Sequence, residues 1–357
     1  SGRDYSCASK NARQGTVMLS NETVRRHRLS GSRYQHVRSL TMIGLSASMV
    51  STVLLIGSGL FVLLVASAGD WLFLSSEPFE AGFLDRLNDV FFAKPHVENG
   101  LIGLFPAIVG TLSLVMVMTL FVAPLGVATA IYLSEYARDT WYTKLIRISI
   151  TNLAGVPAII YGIFGLGFFV YGLGGQVDAL FYADRLPSPT FGTPGLLWAA
   201  LTLALVNLPV VIVAVTEGLD AVPNDLREAS IALGATKSET VFKAVMPAAL
   251  PSVFSGLILA TARAAGEVSP LLLVGAVKFS PSLPLSSRAP FIEFEQKFMH
   301  LGFQLFDAAL FARLPPGGLG WVACIALILV LLIGVLNITA VSLRTAILKR
   351  KTFENPF

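Results

Sequence analysis

Residues 222–275 read VPNDLREASIALGATKSETVFKAVMPAALPSVFSGLILATARAAGEVSPLLLVG, a polar stretch followed by an apolar run. Pro223 suits the first turn of a helix, where its missing N–H costs nothing, and Gly234 suits the left-handed residue just beyond a helix end. The acidic side chains of the first turn favour the positive end of the helix dipole. These signals predict a short helix over 223–233.

A second helix is predicted directly after this one. Thr236 and Glu239 have the spacing of a capping box, in which each side chain satisfies a backbone N–H at the start of a helix. Pro247 and Pro251 are expected to end this helix, because proline cannot donate the helical hydrogen bond. The pattern predicts two short helices that meet at a glycine corner, here called the elbow, over 223–247. An ordinary connecting loop with two frayed helices is the other interpretation.

The composition of the whole chain is that of a membrane protein. Of the 357 residues 54% are hydrophobic and 13% are charged, and the mean hydropathy is +0.70, whereas soluble domains carry about a quarter charged residues. The two cysteines, Cys7 in a polar segment and Cys324 in an apolar one, exclude a disulfide framework and a cysteine metal site. We expect a protein embedded in a bilayer, with no metal and no cofactor.

Six apolar runs are long enough to cross a bilayer as helices, which takes about 20 residues each. The second run is longer than one span needs and contains Pro124, so we expect it to tilt, kink or extend beyond the membrane. The predicted fold class is an all-α polytopic membrane protein with six transmembrane helices. We place them near 41–66, 103–133, 148–172, 195–216, 250–277 and 319–343.

Lys and Arg residues fall unequally on the two sides of such a bundle. The loops on the side opposite the N-terminus hold fewer of them, over longer stretches. The positive-inside rule therefore places both termini, and the elbow, in the cytoplasm. The basic residues on the cytoplasmic side lie within 25–38, 138–147, 227–243 and 344–351.

The elbow resembles a loop of a known transporter family. Glu228, Ala229 and Ser230, followed by Gly234 and Pro247, are similar to the EAA loop of ABC importer permeases, with Ser230 where the family pattern has Ala. The resemblance implies a type I ABC importer permease fold, in which this loop docks into a cytoplasmic ATPase subunit. The residues it assigns to ATPase coupling are Arg227, Glu228, Ala229, Ser230, Gly234 and Pro247.

Four further segments, 124–137, 152–165, 208–230 and 262–275, resemble the phosphate-specific branch of these permeases, the PstA/PstC family, and the PstA type in particular. This likeness implies a multi-pass subunit of the bacterial cytoplasmic (inner) membrane, working by alternating access in phosphate import. The partners it implies are a homologous PstC-type permease, two PstB-type ATPase subunits and a PstS-type periplasmic phosphate-binding protein.

On this interpretation the chain has four parts. Residues 1–38 are a disordered basic cytoplasmic tail, because they are too poor in apolar residues to bury a core. The other parts are 39–100, the first transmembrane helix with an acidic periplasmic loop; 101–345, the permease core with the coupling loop 217–247 and the periplasmic loop 278–318; and 346–357, a basic cytoplasmic tail.

Two segments have a second interpretation. The cluster Arg25 to Arg28 could belong to a twin-arginine export signal, but the apolar run that follows lacks a cleavage-type ending. The aromatic loop 278–318 is predicted to hold an interfacial helix, with an extracellular gate as the alternative. His300 in that loop receives no role.

Arg263 and Glu267 are charged residues in an apolar run. Arg263 lies about 24 Å beyond Pro247 if the helix is continuous, hence near the middle of the membrane. A charge there costs at least about 2.5–3.5 kcal/mol and normally faces a cavity or a partner. Glu267, four residues on, would share the same helical face.

This pair has two interpretations. It could be purely structural, pinning the fifth span to a neighbour. Alternatively, Arg263 attracts an anion in the substrate pathway, which suits phosphate. Glu267 would then hold the arginine between substrates or accept a proton from a protonated oxyanion, which favours phosphate over sulfate.

Gly and Pro interrupt the third and fourth spans. Asn152 with Pro157, and Asn207 with Pro209, are candidates for opening a helix so that backbone groups face the pathway. Close helix packing explains the same residues without any transport role.

No energy source is encoded in the chain. The stretch from Gly234 to Ser238 lacks the glycine that precedes the lysine of a P-loop. We therefore expect no catalytic site, with ATP hydrolysed by a partner. A permease for another oxyanion, such as molybdate or sulfate, and a secondary transporter or channel are the alternatives.

Overall fold

The computed structural model of the chain describes residues 48, 51–70, 88, 90–92, 103–185, 187–280, 282–286, 291–311 and 318–354. The predicted tail over 1–38 and most of the acidic loop lie outside these residues. The chain divides into two compact units, Ser1–Leu63 and Leu64–Phe357. The first contains the start of the first described helix, and the second contains every site discussed below.

The described residues are almost entirely helical. Six of the helices, α1, α2, α4, α5, α7 and most of α10, are long and apolar enough to cross a membrane, which confirms the predicted all-α class with six spans. The helices are α1 Ser51–Gly69, α2 Phe105–Tyr136, α3 Trp141–Ala154, α4 Ala158–Phe181, α5 Leu196–Asp220, α6 Asn224–Ala232, α7 Lys237–Gly266, α8 Leu271–Val274, α9 Leu301–Leu310 and α10 Gly318–Glu354.

Helix α5 forms the centre of the second unit and packs against α2 and α7. Its contact surface is rich in small residues, which lets helix backbones approach closely in lipid. A Cβ on Gly218 would lie 2.1 Å from the Cβ of Ser252 on α7, so no larger residue fits there. The two helices that flank the elbow are therefore held tightly together just inside it.

The third predicted span is two helices. Helix α3 ends at Ala154 and α4 begins after Pro157, whose extended backbone caps it. Proline disfavours a helical conformation in the residue before it, which accounts for the break. At the end of α3, the Gly155 N–H donates to the Asn152 carbonyl at 3.0 Å. The interruption predicted at Asn152 and Pro157 is present, and its place in a substrate pathway stays a prediction.

The fourth span does not open as predicted at Asn207 and Pro209. Helix α5 continues through both residues, which are buried. The Asn207 amide donates to the Leu203 carbonyl one turn earlier, at 2.9 Å. The asparagine thus bonds within its own helix instead of exposing backbone groups to a cavity.

The predicted end of the second elbow helix is also wrong. Helix α7 runs through Pro247 and Pro251 to Gly266. Its early turns, Thr240–Val245, are π-helical, and this wider winding accommodates a proline that follows directly. The Ser255 hydroxyl donates to the Pro251 carbonyl, four residues earlier in the same helix, at 2.8 Å. One helix therefore connects the elbow to the opposite end of the bundle.

The described part of the loop 278–318 contains α9, which buries part of its surface against α2 and α10. His300 caps this helix: its Nδ1 accepts from the Gly302 N–H at 3.1 Å. Burial lowers the pKa of His300 to about 4, so the ring is neutral and Nδ1 is free to accept. A histidine that received no role from the sequence thus fixes the start of α9.

Candidate functional site

The corner of the elbow, from the end of α6 to the start of α7, has the predicted geometry. Helix α6 ends at Ala232, and Gly234 follows with φ +89°, a conformation that glycine adopts without strain. The capping box at the start of α7 is formed, because Glu239 N–H donates to Thr236 Oγ1 at 3.3 Å and Thr236 N–H donates to Glu239 Oε2 at 3.0 Å. Pro223 differs slightly from prediction, since it caps α6 from outside instead of occupying its first turn.

The outer surface of the elbow is open. Glu228 and Ala229 are exposed, and so are the apolar side chains of Ile231 and Leu233, with Leu233 89% exposed. Exposed apolar side chains grouped on a polar segment are typical of a protein contact surface. On the inner side, the Ser230 hydroxyl lies 3.0 Å from the Thr240 hydroxyl and ties α6 to α7.

Arg227 faces inward, unlike Glu228 beside it. Its guanidinium donates to Glu135 Oε1 from Nη2 at 2.7 Å and from Nε at 3.2 Å. It also donates to the Leu219 carbonyl at 2.8 Å and the Val222 carbonyl at 2.6 Å, at the end of α5. The Arg227 and Glu135 side chains are 19% and 9% exposed. Arg227 therefore joins α2, α5 and α6, and its side chain does not belong to the outer surface.

Sequence reasoning missed Glu135. The residue lies in the segment 124–137 that carried part of the family resemblance, but it stands 92 residues before Arg227. No spacing rule links residues so far apart, and only the packing of α2 beside α5 brings them together.

A cavity of about 310 Å³ lies beside the same helix ends. Its lining includes the charged residues Arg147, Glu217 and Asp220. The buried Thr216 hydroxyl on its wall has no hydrogen-bond partner among the described residues. The remaining lining residues are Leu133, Ile150, Thr151, Ile212 and Val213.

Arg263 and Glu267 are in contact at the opposite end of α7, with Nε and Oε2 3.9 Å apart. The predicted shared helical face is wrong, because α7 ends at Gly266 and Glu267 is extended, with φ −80° and ψ 127°. Pro270 explains the end: it has no N–H for the carbonyl that a continued helix would offer. The Arg263 side chain is 49% exposed and that of Glu267 is 18% exposed, so about half of the arginine side chain is not covered by its own chain.

The unwound segment that follows packs against α4 and α9. A Cβ on Gly162 of α4 would lie 2.8 Å from the Pro270 Cα, and one on Gly302 of α9 would lie 2.7 Å from a Val268 methyl. Irregular backbone at membrane depth is tolerated where it is packed within protein or lines a cavity. The structure therefore holds Glu267 on a fixed, non-helical support beside a half-exposed arginine.

Comparison with known proteins gives the family. Residues 123–352, more than half of the chain, match the family described as "Binding-protein-dependent transport system inner membrane component". A solved structure titled "Crystal structure of an amino acid ABC transporter with histidines" aligns with a TM-score of 0.38 at 16% identity, over 68% of this chain and 94% of that one. The family match, and not this likeness, identifies the fold.

The relatives carry permease names. Phosphate transport system permease protein PstA 1 of Mycobacterium tuberculosis (strain CDC 1551 / Oshkosh) is 36% identical over 183 residues, 51% of this chain and 54% of the relative. Phosphate transport system permease protein PstA of Haemophilus influenzae is 32% identical, over 52% and 59%. Probable ABC transporter permease protein YqgH of Bacillus subtilis is 30% identical, over 63% and 71%.

The chain spans about half the length of the first of these relatives. The family match covers the elbow, both ends of α7 and four of the six membrane-length helices in full or in large part. Together with those helices, it makes the chain a multi-pass membrane protein and a transport component. The chain belongs to the family of binding-protein-dependent transport system inner membrane components.

Proposed function

We propose that the chain is the transmembrane permease subunit of an ATP-driven phosphate importer of type I ABC architecture. It forms half of a translocation pathway that works by alternating access. The observation that carries the proposal is the elbow. It is a capped helix pair joined at a glycine, with an exposed outer surface and with the Arg227–Glu135 ion pair on its inner side. The phosphate assignment is supported by the names of the relatives.

The elbow can pass the movement of a bound ATPase on to the membrane helices. Helix α6 follows directly after α5, and the second helix of the elbow is the start of α7. Helices α5 and α7 pack closely at Gly218 and Ser252. The capping box and the hydroxyl contact between Ser230 and Thr240 limit movement within it. An ATPase that presses on Glu228, Ala229 and the exposed Leu233 would therefore move α5 and α7 together.

Phosphate fits the charge pair at the far end of α7. A guanidinium offers forked donors to an oxyanion, and Arg263 is half exposed. Glu267 lies at ion-pair distance without a short hydrogen bond to the arginine, so an anion could replace it. A protonated oxyanion can donate to this carboxylate, whereas fully deprotonated sulfate is repelled.

The partners follow from this function. A PstC-type permease would complete the pathway against the exposed side of Arg263, two PstB-type ATPase subunits would bind the two elbows, and a PstS-type periplasmic protein would deliver phosphate. ATP hydrolysis belongs to the ATPase. The complex would lie in the bacterial inner membrane with both termini of this chain in the cytoplasm.

Pull-down from membranes tests the coupling claim. Glu228→Lys reverses an exposed charge on the docking surface, and Gly234→Asp places a side chain where φ is +89°. We expect both variants to lose most of the co-purifying ATPase. Asp139→Asn, an exposed charge outside the elbow, is the matched control and should retain it. An ATPase bound equally to all three variants would contradict the proposal.

A further inference from the structure

The end of α2 contacts every helix that meets at the elbow. Three consecutive residues of its last, π-helical turn each reach a different helix. Ser134 Oγ donates to Asp220 Oδ1 on α5 at 2.6 Å, and Glu135 accepts from Arg227 on α6 at 2.7 Å. Lys237 at the start of α7 places its Nζ 5.3 Å from the centre of the Tyr136 ring.

The contact between Glu135 and Arg227 differs from an ordinary surface ion pair. Both side chains are mostly buried, and the guanidinium also donates to the Leu219 carbonyl in the last turn of α5 and to the Val222 carbonyl just beyond it, where a cation is favoured by the helix dipole. Charge-assisted bonds in partly buried surroundings are stronger and less screened than those in water. The end of α2 is thus firmly fixed to the elbow, although no loop connects them.

The other end of α2 contacts the segment before α9. The Leu301 N–H donates to Thr111 Oγ1 at 3.0 Å, and the Met299 carbonyl presses against Gly110, where a Cβ would lie 2.0 Å from it. Helix α2 has 32 residues, hence a length of about 48 Å. One continuous helix, which runs through Pro124, therefore links the elbow to the far side of the bundle.

We propose that Glu135 is a positioning residue for coupling: by holding Arg227 it makes α2 move with the elbow, so that the motion reaches the segment 298–302 as well as α5 and α7. This inference rests on the proposed function and adds a second path of transmission to it. Glu135 contacts neither the ATPase nor the substrate in this scheme and acts through Arg227.

The first test is Glu135→Gln in the assembled transporter, reconstituted in proteoliposomes. Glutamine keeps the shape and one acceptor but removes the charge. We expect the ATPase to stay bound and to hydrolyse ATP, while phosphate uptake per ATP falls by about tenfold, the low end of the effect of losing a charged hydrogen bond, because glutamine still accepts one bond. Glu135→Asp should restore part of the coupling. Asp139→Asn, an exposed carboxylate near the same helix end, is the matched control and should behave as wild type.

The second test measures the motion itself. Spin labels at Arg138 and Ser238, both exposed, report the distance between the end of α2 and the elbow in a background without Cys7 and Cys324. We expect this distance to be the same with and without ATP in wild type, and to broaden in Glu135→Gln.

The outcomes separate the two proposals. A wild-type distance that changes with ATP, or full coupling in Glu135→Gln, overturns the inference while the proposed function stands. A wild-type protein from which no ATPase co-purifies overturns the proposed function itself.

Discussion

The two ends of α7 are built in opposite ways. At its start, the capping box and the contact between Ser230 and Thr240 hold α7 to α6, and Arg227 in turn holds α6 to α2 and α5. At its end, the helix stops at Gly266, and the ion pair between Arg263 and Glu267 is long, with the arginine half exposed. The difference teaches that the elbow end is preorganised by contacts within this chain, whereas the guanidinium at the Arg263 end stays half exposed.

The largest expected effect comes from Arg263→Ala. If the arginine supplies the charge that binds the anion, its loss should lower phosphate uptake by about 100-fold, because a charged hydrogen bond contributes about 1.5–3 kcal/mol. ATPase binding at the other end of α7 should not change. Arg263→Lys keeps the charge but loses the forked donors, so its phosphate uptake should lie between that of wild type and that of Arg263→Ala. Uptake that survives Arg263→Ala would favour the purely structural pair.

Glu267→Gln sharpens the comparison further. We expect discrimination between phosphate and sulfate to fall by about tenfold, because the carboxylate that repels sulfate is gone. Uptake of both anions by reconstituted transporter, each in competition with the other, gives the measurement. Unchanged uptake together with unchanged discrimination would remove Glu267 from the selectivity mechanism.

The smallest expected effect is at the preorganised end. Thr236→Ala removes the side-chain half of the capping box and should cost about 1 kcal/mol of helix stability. The unfolding temperature and the amount of co-purifying ATPase should both decrease modestly. Ser238→Ala, two residues further along an exposed turn, is the control. A loss as large as that of Gly234→Asp would mean that the cap, and not the hinge, governs docking.

Much of the elbow could be predicted from local sequence. The ends of α6, the left-handed Gly234 and the capping box depend on residues within four positions of one another, and such signals need no tertiary context. The prolines were misjudged for the opposite reason. A neighbouring π-helical turn and the surrounding helices allow α7 to continue through Pro247 and Pro251, as α5 continues through Pro209.

By itself the sequence determined the six-span helical class, the elbow and the presence of a charge pair near Arg263, because hydropathy, capping and helix length are properties of single segments. The tertiary structure alone decided that Arg227 turns inward to Glu135 and that α7 continues through Pro247 and Pro251. These outcomes depend on which helices become neighbours. A contact between residues 92 positions apart produces no periodic pattern in the sequence.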